Sequence, residues 1–158
     1  MWNFGNTIYT FRSAKRIRGQ AIRLDEFKKS IRDPIVSAMD ACEAVGSRAE
    51  AISSSARQFG ELTSDIESLN REAIAAINTL SDKLNDADNS RFSKSSTWLE
   101  GYDQFEEKVL GCFNEACNPV NSEVKRREAL IRSKTSVRSF KVLIQQKLEA
   151  EISGIAEA

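Results

Sequence analysis

Histidine is absent from all 158 residues. With it go the commonest general base, the commonest metal ligand and the usual proton switch near neutral pH. The chain is therefore expected to be no enzyme, and to need no metal, cofactor or small-molecule substrate. Proline occurs twice and glycine seven times, too few turn formers for a β-sandwich. Cysteine occurs three times, as Cys42, Cys112 and Cys117; an odd count without a framework argues against a secreted disulfide scaffold. Cys112 and Cys117 would point about 140° apart on a helix, which does not suit a metal pair. Cys42 and Cys112 fall instead on apolar stripes, where a thiol packs as a small hydrophobe. No apolar run approaches the roughly 20 residues that cross a bilayer, and the N-terminus lacks the apolar core of a secretory signal. A cytoplasmic chain is expected, with peripheral membrane contact as the variant.

What is present is helical. Hydrophobic residues make up 41% of the chain and charged residues 29%, which suits a packed chain rather than a disordered one. From Ile31, steps of three or four reach Ile35, Ala38, Cys42, Val45, Ala49, Ile52, Ala56, Phe59, Thr63, Ile66, Asn70, Ala73, Ile77, Leu80, Leu84 and Ala87. Fifteen of those seventeen positions are apolar. A strict seven-residue repeat marks helices that wind about one another. Gly46 and Gly60 are each followed by a capping-box spacing, Ser47 with Glu50 and Ser64 with Glu67. The heptad phase nevertheless passes both glycines unchanged, so one helix over 34–87 is expected, with the glycines as points of close approach.

Asp33-Pro34 reads as a helix start, a capping residue with proline at the first helical position. The repeat continues backward through Leu24, Ala21, Ile17 and Ala14, so a helix over 13–32 should join at a kink. Asn85–Ser96 is rich in Asn, Asp and Ser and reads as a turn. Beyond it an aromatic stripe from Trp98 to Ala116 predicts a helix over 97–117, and Asn118-Pro119 separates it from a last helix over 121–153. Helix 34–87 would be about 80 Å long at 1.5 Å per residue, matched by the return arm. The expected fold is all-α: a long antiparallel helical hairpin or coiled-coil-like bundle. A compact bundle of four or five helices, broken at Gly46 and Gly60, is the alternative. Residues 1–12 would be an aromatic arm and 13–158 a single helical-bundle domain.

Charge is zero in sum but segmented: residues 1–32 carry eight Lys/Arg against two acids, 33–118 sixteen acids against seven bases, and 119–147 eight bases against two acids. The second basic segment, with Lys125, Arg126, Arg127, Arg132, Lys134, Arg138 and Lys141, spreads around its helix. Without a coherent stripe or interleaved aromatics it argues against nucleic acid; pairing with the acidic arm, or a solvated face, fits better. The N-terminus is the other candidate contact, with Trp2, Phe4, Tyr9 and Phe11 followed by Arg12, Lys15, Arg16 and Arg18. Aromatics beside a basic helix suit a membrane interface. The apolar faces of 4–11 and 17–31 point in opposite directions, however, which disfavours one continuous amphipathic membrane helix. Docking of this arm on the bundle is the competing expectation, and a targeting peptide the third.

Asn70, and more weakly Thr63, are polar residues on the seam that could fix register or oligomeric state, beside Gly46 and Gly60 as interface positions. The functional expectation is a non-enzymatic interaction protein that self-associates or binds a protein partner, its own copy or another helix, through the apolar stripe. Peripheral membrane binding through the N-terminus is the alternative, and an inhibitor or immunity-type protein the second.

Overall fold

The computed structural model of the chain describes residues 4–92 and 97–157, with side chains from Ser13 onward. Five helices carry it: α1 (Phe4–Phe27), α2 (Asp33–Ser53), α3 (Thr63–Asp88), α4 (Tyr102–Cys117) and α5 (Glu123–Glu157). No strand occurs among the described residues. The fold is an all-α helical bundle.

α1 and α2 are one continuous rod, because the backbone stays right-handed helical through Phe27, Arg32 and Asp33. Asp33-Pro34 therefore does not start a new helix. Between the two, Lys28–Arg32 winds as a π turn, in which the Asp33 N–H reaches back five residues to the Lys28 carbonyl. Proline explains the widening: it offers no N–H, and in a regular α-ladder its ring would strike the carbonyl four residues earlier. The extra residue also moves the seam. Phe27 and Ile31 are both buried, whereas Ile17, expected on the stripe, is 60% exposed and Ala21 is exposed as well. The inward side of α1 is instead that of Gln20, half-buried Leu24 and buried Phe27.

The single helix expected over 34–87 ends at Ser53. Residues 54–58 turn, Gln58 is extended, and a 3₁₀ turn over Phe59–Leu62 leads into α3. Ser53, Ser54 and Ser55 supply the local turn preference, and an arginine far along the chain supplies the cap. Arg127 Nη1 donates to the carbonyls of Ile52 (3.4 Å), Ser53 (2.6 Å) and Ser55 (3.0 Å), and its Nη2 to that of Arg57 (3.2 Å). Ser53 Oγ donates in return to the Arg127 carbonyl at 2.9 Å. The unpaired carbonyls of a helix end are thus met by a cation, which also suits the helix dipole. Phe59 and Leu62 still point inward, so the apolar spacing reads on as if no break had occurred. The 80 Å hairpin gives way to the compact bundle, with α2 about 32 Å long.

α2 packs on α3 and α5, and α4 packs on the same two. Cross-links show that neighbours run antiparallel. On α2 and α5, Glu43 meets Lys141 at 2.5 Å and Glu50 meets Lys134 at 2.8 Å. The same pairing continues past the π turn, where Gln20 Nε2 donates to the Ala156 carbonyl at 3.3 Å. On α4 and α5, Phe105 stacks on Phe140 with centroids 4.4 Å apart, and Arg132 pairs with Glu115. Tyr102 of α4 donates to the Ile77 carbonyl of α3 at 3.3 Å.

α4 begins at Tyr102 rather than 97, since Gly101 is left-handed (φ 79°) and closes a turn over Trp98–Gly101. Trp98 is fully buried there, 6.2 Å from the Phe27 ring, and Asp88 accepts the Trp98 N–H at 2.5 Å. Lys147 of α5 donates to the Thr97 and Glu100 carbonyls of the same turn.

Candidate interaction surface on the first helix

The long stripe is spent inside the molecule. Thirteen of its seventeen positions, from Ile31 to Ala87, are buried; Ile52, Thr63 and Asn70 are half-buried and Ala56 is exposed. The close approach expected at Gly46 is present: a methyl group there would sit 3.3 Å from the Lys134 Cα. That expected at Gly60 is not, because the residue lies in the 3₁₀ turn and a methyl group would meet nothing within 4 Å. Thr63 is the first residue of α3, and Asn70 sits half-buried two turns on.

The basic segment of α5 is taken up in part by the bundle. Lys134 and Lys141 pair with α2, and Lys125 and Arg132 with Glu115 of α4. The Arg132 hydrogen bond holds the Glu115 carboxyl below its ordinary range. Arg126 and Arg127, adjacent in sequence, close two different corners, Arg127 the end of α2 and Arg126 the end of α4. Arg126 Nε caps α4 through the Ala116 carbonyl at 2.7 Å, and both guanidinium groups lie over the Phe59 ring, at 4.5 and 5.2 Å. Sequence reasoning missed this double cap. Its one signal was a pair of arginines at the start of a helix, where cations are otherwise unfavourable.

The free thiols are Cys42, Cys112 and Cys117; burial pushes the Cys42 thiol up to about 11 and raises the other two, which keeps them protonated and unreactive. Among the described residues, no three His, Cys, Asp or Glu cluster to hold a metal ion. A groove of about 690 Å³ between α4 and α5 is open and lined by the Glu115–Arg132 pair.

α1 differs from every other helix. Its pairing with α5 passes Gln20 and Ala156, and before it Ser13, Ala14 and Gly19 are half-buried while Lys15–Arg18 are exposed. Of the contacts expected at the N-terminus, Trp2 lies outside the described residues, as do the side chains of Phe4, Tyr9, Phe11 and Arg12. Lys15, Arg16 and Arg18 are exposed. So is Ile22, at 60%, a position that the sequence reading did not single out.

Helical geometry explains why. At 100° per residue, positions 4, 8, 11, 15, 18 and 22 fall on one side of α1, opposite Gln20 and Phe27. That side reads Phe, Ile, Phe, Lys, Arg, Ile. Gln20, Leu24 and Phe27 mark the bundle side of α1, and exposed Lys15, Arg18 and Ile22 lie on the opposite side. No helix among the described residues is long and apolar enough to cross a membrane. No family model, curated protein or solved structure matches the chain.

Proposed function

We propose that the chain is a non-enzymatic interaction protein, in which the bundle is a rigid stand and α1 is the element offered to a partner. One observation carries this reading. Ile17 and Ile22 are both 60% exposed on α1, while the stripe over α2 and α3 is consumed by the core. Large apolar side chains left in water beside a run of cations favour docking. The apolar stripe, the first candidate interface, is no longer free to serve.

A photo-crosslinking residue at position 22, with one at Val142 of α5 as reference, tests this in the native cell. The expected result is an adduct at 22 that excess unmodified chain competes away, and none at 142. Equal labelling at both positions, or none at 22, would overturn the reading.

A further inference from the structure

We infer that the outward side of α1 docks on an anionic membrane surface. The inference rests on α1 being the presented helix, and it names what that helix is presented to.

Charge comes first. Arg12, Lys15, Arg16, Arg18 and Arg23 lie on α1, and no acid precedes Asp25. Lys15, Arg16, Arg18 and Arg23 are exposed. Up to Leu24 the helix carries charge of one sign, while Asp25 and Glu26 at its end pair with Lys29 and Arg91; the body's own basic residues largely pair with its acids. The helix's complement is a dense array of negative charge, which the phosphate and carboxylate groups of an acidic bilayer supply.

The order of residues along the outward side separates a lipid surface from a protein groove. Lys15 and Arg18 interrupt the apolar row between Phe11 and Ile22. Inside a protein groove these cations would lose water in mid-interface, a cost met only by carboxylates placed to receive them. At a lipid interface the same side chains lay their methylenes along the apolar zone and raise their charges to the headgroups.

The fold supplies the geometry. Gln20 meets α5 and Phe27 meets Phe92 and Trp98, while Lys15, Arg18 and Ile22 on the opposite side are exposed. Glu26, further along that side, pairs with Arg91 of the body, so the stretch up to Ile22 is the part of α1 that would meet a plane. The objection raised by opposed apolar faces disappears, because only one of them needs to meet lipid.

Vesicle flotation tests this with the full chain, using phosphatidylcholine alone and phosphatidylcholine with roughly 30% phosphatidylserine. Binding is expected to the acidic vesicles only, and to weaken as salt rises past about 0.5 M, where charges are screened within a few ångströms. Lys15→Gln with Arg18→Gln should weaken binding about 25-fold, at roughly fivefold for each charge removed. Ile22→Glu should abolish it, and Val142→Glu, on α5, should leave it unchanged. Circular dichroism and melting identical to the parent chain show that the variants still fold. Equal binding to neutral vesicles, no binding to either, or full binding by Ile22→Glu would overturn the inference. A competable protein adduct at position 22 without vesicle binding would overturn the lipid surface alone and leave the presented helix standing.

Discussion

Replacing Arg127 with alanine should cost about 2–4 kcal/mol of stability, far more than a half-exposed arginine usually contributes. Four carbonyls from the end of α2 and its following turn receive this one guanidinium, at 2.6–3.4 Å, and the side chain is only 19% exposed. A hydrogen bond to a charged group contributes about 1.5–3 kcal/mol, but bonds sharing one donor group do not add. Interaction with the helix end contributes about 0.3–1 kcal/mol and the face of Phe59 about 0.5–1 kcal/mol. The carbonyls left behind are partly hydrated, which brings the total below the simple sum. Urea unfolding followed at 222 nm measures the change, and melting should fall by about 2–4 °C for each kcal/mol. Arg127→Lys keeps the charge but not the planar fork, so it should recover less than half of the loss. Arg138→Ala, on an exposed site of the same helix, should stay within about 0.5 kcal/mol. A loss at Arg127 no larger than that at Arg138 would refute the capping argument.

Gly46 and Gly111 should respond oppositely to a larger residue. Gly46→Leu forces α2 away from the Lys134 backbone and should cost about 1–3 kcal/mol by overpacking, whereas Gly111→Ala in mid-α4 meets nothing within 4 Å and should gain up to about 1 kcal/mol from helix propensity; both are read from urea midpoints. Stability should fall as pH rises above 9. The buried Cys42 thiol ionises near 11 in the folded chain against 9.0 when unconstrained, so in that window the unfolded state releases the proton first, at about 1.4 kcal/mol per pH unit. Melting curves between those pH values should be flatter for Cys42→Ala, and an equally steep fall would show that other groups carry it. Asp88→Ala removes the acceptor of the Trp98 and Leu99 amides and should cost about 1–2 kcal/mol, with Trp98 emission moving to the red as its turn loosens.

The helical class and the inward face were legible because apolar spacing reports burial directly. Ile35, Leu69, Leu80 and Leu84 are fully buried, and three of them sit on the stripe read from the sequence. Gly46 was legible too, since only a missing side chain lets two helices approach so closely. The break after Ser53 was not. Phase continuity suggests one helix, but a connection that returns Phe59 and Leu62 to the core preserves the phase equally well. The cap that ends α2 is supplied by Arg127, remote in sequence and invisible to any local pattern. The π turn misled in the other direction. Asp33-Pro34 carries a start signal, yet the chain met it by adding a residue to one turn, which brings Phe27 onto the seam beside Ile31. On the candidate surface, the basic run and the aromatics were read from composition. Ile22 was not, because its role depends on which side of α1 the bundle occupies.

The double cap also has a meaning in time. Arg127 reaches carbonyls 70–75 residues earlier in the chain, and its neighbour Arg126 reaches back only ten. At about 5–20 residues per second of synthesis, α2 waits roughly 4–15 s for the group that finishes it. Until then the α2–α3 corner can form but cannot be sealed, and the nascent chain holds an open hairpin. The start of α5 closes two corners with adjacent residues, so the bundle matures in one late step rather than corner by corner.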